Sequence, residues 1–222
     1  MTDIINGYCT LTDFRNHITA PKRTLDEDAS DDDVIKGLIT VASRRVDNLT
    51  GRRFYPSIET MSFDVPEDNM ILLDSDLLAL TTLTNGDNTV IASTDYILKP
   101  NNGYPKYLIQ LRDISTVAWQ YDANSSGEQV IDVLGYWGYH EQYATRAWKA
   151  VGTISVAIAD LTTKTISITA GHSLEARGGE IVKIDNELFN SASVVGNVLT
   201  VQARGDNGST AATHLILAPV YT

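Results

Sequence analysis

The chain has few of the side chains that most often bind transition metals: one cysteine, Cys9, and four histidines in 222 residues. A single thiol cannot form a disulfide within the chain or supply a four-cysteine zinc site or an iron–sulfur cluster. None of the histidines stands in a spacing typical of a zinc site. We therefore expect no metal, no cofactor and a reducing compartment.

Long apolar runs and basic residues are also scarce. No run approaches the roughly 18 residues of a membrane span, and residues 1–6 lack the basic flank and apolar stretch of a secretory signal. The 17 Lys and Arg residues stand against 28 Asp and Glu, which gives a net charge of −11. A protein that grips DNA through its phosphates normally carries a basic surface. We therefore expect no membrane partner and no specific DNA binding.

The motifs of common enzyme classes are missing as well. The sequence has no Gly-x-Ser-x-Gly elbow, no P-loop and no Gly-x-Gly-x-x-Gly turn. Carboxylate pairs of the kind that glycosidases use are so abundant here that they have no diagnostic value. We expect that the chain is not an enzyme.

Two helices are predicted near the N-terminus. Thr10 or Thr12 can cap a short helix with one apolar face, which Pro21 ends, and a polar loop follows at 22–29. Residues 30–33 supply a cap and an acidic first turn for a longer helix. Residues at helical spacing continue it, and Gly51 follows its end: Val34, Leu38, Val41 or Ala42, Arg45 or Val46, and Leu49.

After Pro56 the apolar period changes from 3.6 to 2, which indicates strands. The strand candidates are 61–65, 70–73, 78–83, 96–98, 107–111, 117–121 and 130–136. Residues 139–150 return to a helical spacing. Residues 1–150 therefore predict an α+β domain with a helical hairpin, an antiparallel β module and a further helix.

Residues 151–222 alternate in short runs separated by glycines, which predicts a small all-β domain. Its strand candidates are 154–158, 165–169, 180–185, 187–189, 198–201 and 215–217. Gly205 and Gly208 permit a tight turn, across which Arg204 and His214 can hydrogen-bond. We interpret Arg204 and His214 as structural braces.

Two stretches resemble known protein families. Residues 8–14 (Tyr-Cys-Thr-Leu-Thr-Asp-Phe), 31–35 (Asp-Asp-Asp-Val-Ile) and 42–54, with Thr-Gly-Arg-Arg-Phe at its end, occur in that order. This order resembles the head-tail connector (adaptor) proteins of long-tailed bacteriophages. Longer members of that family insert β strands before a later helix, which extends the resemblance to about residue 150. Residues 179–187 with 199–214 resemble a small β module that recurs in phage structural proteins, with an Arg-Gly-x-x-Gly-Ser/Thr-x-Ala-x-x-His ending.

The resemblance implies a structural protein of the phage neck that is assembled in the host cytoplasm and becomes part of the virion. It implies a closed ring of about twelve copies under the portal protein, joining head to tail. Packaged DNA would pass through this ring without specific binding, and the next neck or tail-completion protein would bind beyond it. The alternative is a glycan- or receptor-binding β-domain protein of the virion.

Three sets of residues are expected to act in such a ring. Charges at the two ends of the longer helix are expected to contact a neighbouring subunit or else only to complement the helix dipole: Asp31, Asp32, Asp33, Arg44, Arg45, Arg52 and Arg53. Interface-type side chains near the predicted last helix are expected to dock on the portal or else to close the core: Tyr139, Tyr143, Arg146 and Trp148. Residues 54–98 contain eight carboxylates and no Lys or Arg, and are expected to line the DNA channel or to form an outward solvated face: Glu59, Asp64, Glu67, Asp68, Asp74, Asp76, Asp87 and Asp95.

Overall fold

A computed structural model describes residues 3–19 and 31–222 and has the expected α+β fold, with β structure in excess. The described residues form the helices α1 (Leu11–Thr19), α2 (Asp32–Thr50) and α3 (Tyr143–Arg146). One antiparallel sheet contains β1 (Ser57–Phe63), β2 (Met70–Thr84), β3 (Tyr96–Lys99), β4 (Lys106–Leu111) and β5 (Ile131–Trp137). The other contains β6 (Ala150–Thr153), β7 (Thr165–Ser167), β8 (Ile181–Ile184), β9 (Glu187–Val195), β10 (Val198–Val201) and β11 (Pro219–Tyr221).

The chain divides into two compact units. The insert unit is Arg52–Ala147, and the terminal unit combines the described residues up to Gly51 with Trp148–Thr222. These bounds differ from the expected domains at 1–150 and 151–222. The change near residue 150 to short alternating runs separated by glycines does fall within a few residues of a unit boundary. The described residues before Arg52, however, belong with the C-terminal β structure and not with the strands that follow them.

The insert unit is built on the sheet β1-β5-β2-β4-β3. Alternate residues of its strands point inward and form a core that includes Leu77, Ile109, Val133 and Trp137. The predicted strands 70–73 and 78–83 are one strand, β2, interrupted by a register shift against β4. Residues 117–121 do not form a strand. The side chain of Asn85, in place of a neighbouring strand, hydrogen-bonds to the backbone of Ala118 and Gln120.

The terminal unit contains the sheet β6-β11-β8-β9-β10-β7, whose core includes Ile154, Ile168, Phe189 and Leu199. The predicted strand 154–158 is reduced to two isolated bridges, from Ile154 to Ile168 and from Ile158 to His214. The predicted strand 215–217 is exposed and does not form, although the Leu217 N–H donates to the Ile154 carbonyl at 3.0 Å just ahead of β11.

Both predicted N-terminal helices form, but the side chain of Asp31, which precedes α2, makes no cap hydrogen bond. Thr10 caps α1, because its Oγ1 accepts from the Asp13 N–H at 3.1 Å while the Asp13 carboxylate accepts from the Thr10 N–H at 2.9 Å. Gly51 ends α2 in the left-handed conformation, at φ 65°, and its N–H donates to the Asp47 carbonyl. Pro21, Ser30 and the predicted loop 22–29 lie outside the described residues.

The stripe that predicted α2 is not its buried face. Val34, Leu38, Val41, Val46 and Leu49 are exposed. Helix α2 instead packs through Ile39, which contacts Ile4 and Leu11 in a small apolar cluster, with Ile35 at its edge. The buried Ser43 hydroxyl accepts from the Tyr8 N–H at 3.0 Å on the same side of the helix.

The predicted helix 139–150 is wrong in extent. Only Tyr143–Arg146 is helical, and Ala150 already belongs to β6. Lys149 and Thr222 exchange two backbone hydrogen bonds, of 2.8 and 3.0 Å, which draw the chain into the sheet beside β11. This partner lies more than seventy residues away in sequence, so local spacing carries no sign of it.

Candidate functional site

A buried cluster of charged residues lies at the start of β9, and we call it the Glu187 cluster. Both oxygens of the buried Glu187 carboxylate accept hydrogen bonds from Arg204, at 2.9 Å and 3.0 Å. The backbone N–H groups of Gly205 and Ala212 donate to the same carboxylate at 2.7 Å and 2.9 Å. The Nε2 atom of His214 lies 2.9 Å from Oε2. Five contacts therefore saturate one carboxylate.

Burial and hydrogen bonding have opposite effects on the pKa of the Glu187 carboxyl. Burial acts to raise the pKa of the Glu187 carboxyl, but the hydrogen bonds from Arg204, Ala212, His214 and Gly205 outweigh it, so this pKa is lowered. The other ring nitrogen of His214 lies 2.7 Å from Asp185 Oδ2. His214 therefore bridges the carboxylates of Asp185 and Glu187 through its two ring nitrogens.

The arrangement points to a structural role, since the members of the Glu187 cluster form their hydrogen bonds with one another or with nearby backbone. Arg204 also donates to the carbonyls of Asp160, Thr163 and Ala212, at 2.6 to 3.2 Å. Arg204 and His214 thus brace the turn between them by binding Glu187, and not by contacting each other.

The same turn holds the N-terminal segment in the terminal unit. The side-chain amides of Asn6 and Asn207 exchange two hydrogen bonds, of 2.8 and 2.9 Å. The Asn6 N–H donates to Asn190 Oδ1 at 3.1 Å, and Gln202 donates to the Ile4 carbonyl at 2.7 Å. Asn190, Gln202 and Asn207 therefore anchor residues 4–6, a role that local sequence reasoning missed.

The expected subunit-interface charges fall into two groups. Four form ion pairs within the chain: Asp32 with Arg15, Arg44 with Asp47, Arg52 with Asp76 and Arg53 with Glu59. The other three, Asp31, Asp33 and Arg45, are exposed. The structure thus places Asp31 and Arg45 on the outer surface of the α2 region.

The eight expected channel carboxylates all belong to the insert unit. Two have basic partners, because Glu59 pairs with Arg53 and Asp76 with Arg52. The Arg53 hydrogen bond lowers the pKa of the Glu59 carboxyl, whereas burial raises that of Asp76. Within the part of the chain that the structure describes, the other six form no ion pair, and five of them are exposed: Asp64, Glu67, Asp68, Asp74 and Asp87.

The four expected portal-docking residues are not on one helix. Tyr139, Tyr143 and Arg146 belong to the insert unit and Trp148 to the terminal unit. The Arg52 guanidinium lies 4.2 Å from the centre of the Tyr139 ring, which brings one expected interface residue beside one docking residue. Trp148 is half-buried, with the Lys183 ammonium 5.2 Å from its ring centre.

The described residues contain no group of three or more His, Cys, Asp or Glu side chains placed to hold a metal ion. None of the described helices combines the length and the apolar character that crossing a membrane requires. No protein family model, curated protein or solved structure matches the chain.

Proposed function

We propose that this chain is a head-tail connector of a long-tailed phage. Copies of it form a closed ring under the portal protein, extend the DNA channel and present a surface to the next neck or tail-completion protein. The ring performs no chemistry and acts by binding. The ordered motifs over residues 8–55 resemble that family, and the α+β fold with two helices ahead of an antiparallel sheet is compatible with it.

The uncompensated carboxylates of the insert unit carry the proposal. DNA has to slide through a neck without sticking to its wall. Basic walls release counterions and hold DNA, whereas carboxylates repel its phosphates. Asp64, Glu67, Asp68 and Asp74 are exposed and form no ion pair within the described residues. Because salt screens charge over about 8 Å, only carboxylates close to the DNA path contribute.

The contact between ring neighbours is heterologous, as a cyclic ring requires. Exposed ion pairs contribute only about 0–1 kcal/mol each, so the charges at the ends of α2 set the register of this contact. Its strength comes from apolar and aromatic groups.

Electron microscopy of the purified chain with the portal protein of the same phage tests the proposal. We expect a ring on the portal, with the four exposed carboxylates directed toward the central channel. A chain that leaves the portal unoccupied, or a ring with these carboxylates on its outer circumference, contradicts it.

A fourfold charge reversal tests the role of the carboxylates. Asp64→Lys, Glu67→Lys, Asp68→Lys and Asp74→Lys together leave the ring intact but make it bind duplex DNA. The logarithm of its affinity falls with the logarithm of salt concentration, by about 0.9 per phosphate neutralised. The matched Asn and Gln variant removes the repulsion without adding attraction, and binds no DNA.

One observation favours the glycan-binding alternative. A shallow groove in the insert unit is lined by Trp119 and Tyr121 together with Glu67, Asp68 and Asp113. Aromatic faces beside carboxylates suit sugar rings, which offer apolar faces and hydroxyl donors. A glycan array that binds the chain, and does not bind the Tyr121→Ala variant, would favour this function over the ring.

A further inference from the structure

Helix α2 carries an apolar face that no described residue covers. Val34, Leu38 and Val41 are 60–66% exposed, on the side away from Ile39. An exposed helix face of this kind is unusual for a surface helix, which normally buries its apolar stripe. With Arg45, these three positions follow the 4-3-4 spacing of a coiled-coil seam.

Charged residues of opposite sign bracket this seam symmetrically. Asp31 stands seven residues before Leu38 and Arg45 seven residues after it, so both lie in line with Leu38 on the helix surface. Each is about 10 Å from Leu38 along the axis. Both side chains are exposed. Along the seam an acidic residue, Asp31, comes first, the apolar Leu38 lies at the midpoint, and the basic Arg45 comes last.

We propose that a second copy of this chain covers the seam, with the two α2 helices antiparallel and Leu38 packed against Leu38 on the two-fold axis. In this register Val34 of each copy lies opposite Ala42 of the other. Asp31 of each copy lies opposite Arg45 of the other, so the ion pair forms twice. A parallel in-register pair would instead place Asp31 against Asp31 and Arg45 against Arg45, and like charges there repel.

The proposed pair goes beyond the proposed ring and does not depend on it. A two-fold contact joins identical faces, whereas a cyclic ring joins different ones. The pair therefore belongs to the free protein, in which it shields the apolar seam from water. Binding to the portal exchanges it for ring contacts.

Light scattering of the purified full-length chain across a concentration series tests the pair, without portal protein present. We expect twice the 24.3 kDa mass of the chain.

Leu38→Asp puts two carboxylates together on the two-fold axis and gives a monomer with an unchanged circular dichroism spectrum. Leu215→Asp is the matched control, because Leu215 is equally apolar and 80% exposed but lies far from α2 in sequence; it stays a dimer. A monomeric native chain, or equal loss in both variants, overturns the proposal.

A charge exchange tests the antiparallel register. Asp31→Arg and Arg45→Asp alone each turn two attractive contacts into repulsive ones, and each weakens the dimer about tenfold, since an exposed pair contributes up to about 1 kcal/mol. The double variant restores both pairs with their signs exchanged and recovers the native dissociation constant. Additive weakening in the double variant contradicts this register. The portal assay is separate, so a failed dimer and a failed connector are distinguishable.

Crosslinking tests the position of the axis. In a Cys9→Ala background, Leu38→Cys is expected to form a disulfide between copies under mild oxidation, because the two side chains meet on the axis. Leu49→Cys is the control on the same helix, eleven residues beyond, and stays reduced. Crosslinking through position 49 in preference to position 38 would overturn the register.

Discussion

At the scale of single residues, the Glu187 cluster stands out because it keeps a carboxylate fully inside a small β unit. A buried charge is tolerated only when hydrogen bonds and opposite charge replace water. Glu187 receives both, from Arg204, His214 and two backbone N–H groups. Removing one member leaves the others buried without their partner, which costs more than the pair itself contributes.

Glu187→Gln is therefore expected to lower the free energy of unfolding by about 3–5 kcal/mol, because Arg204 loses its buried counter-charge. Urea denaturation followed by circular dichroism measures this. Asp185→Asn is the control, since the Asp185 side chain is 54% exposed and its contact with His214 is partly hydrated; we expect a loss below about 1 kcal/mol. Equal losses in the two variants would mean that burial of Glu187 does not matter.

The lowered pKa of Glu187 also predicts a dependence of stability on pH. In the unfolded chain this carboxyl takes up a proton near pH 4.3, whereas in the folded chain it stays ionised to lower pH. Its contribution is thus complete above about pH 5 and is lost as pH falls through the folded pKa. The native chain should lose stability more steeply than Glu187→Gln between about pH 5 and pH 3. Parallel pH profiles for the two proteins would contradict this.

At the scale of elements, the sequence indicates helix ends more clearly than any other feature. Gly51 adopts φ 65°, and no described residue other than its chain neighbours and the adjoining helix lies within 4 Å of the position its Cβ would take. Gly51→Ala therefore adds no clash, but forces an L-residue into the left-handed region. We expect a loss of about 1 kcal/mol, and a smaller one for Gly51→Asn, which tolerates this conformation better. Thermal denaturation measures both; equal melting temperatures for all three proteins would contradict the capping role.

Local signals explain which elements could be predicted. Thr10 with Asp13 and Gly51 mark helix ends because their side chains, or the lack of one, act within a few residues. Most strands of the insert unit were recognisable from period 2. The sequence failed where distant partners decide: Lys149 pairs with Thr222, and Asn85 holds residues 118–120. The apolar period of α2 indicated a helix correctly, but period alone cannot tell a buried face from an exposed one.

The candidate site was predictable to a similar extent. Arg204 and His214 were recognisable as braces, because two glycines between them demanded a tight turn. Glu187 was not, since one acid among 28 carries no mark of burial. Its position opposite Arg204 follows from the pairing of β9 with β10, which is a property of the sheet.

At the scale of the whole molecule, the chain leaves the terminal unit at Gly51 and returns to it at Trp148. The ends of the insert unit adjoin each other, because Ser57 pairs with Trp137 and the Tyr139 N–H donates to the Arg53 carbonyl. The insert unit therefore has the topology of a self-contained module within the terminal unit.

This topology predicts how fragments behave. Residues 52–147 should fold alone, because they keep the core around Leu77, Ile109 and Trp137. A fragment of residues 1–150 should contain the same folded module and an unfolded stretch before it, because Asn6 loses Asn190 and Asn207. Hydrogen exchange measured by mass spectrometry checks both. Protection of residues 4–19 in the 1–150 fragment would contradict the division into units.

The interrupted terminal unit also sets an order of events during translation. Ile4 and Asn6 leave the ribosome well before their partners Asn190, Gln202 and Asn207, since at least 184 positions separate them in sequence. At about 5–20 residues per second, this early segment waits about 10–40 s for those hydrogen-bond partners. The insert unit can complete its own folding in that interval. The hydrogen bonds that join Ile4 and Asn6 to the C-terminal part therefore form only after the whole insert unit has been synthesised.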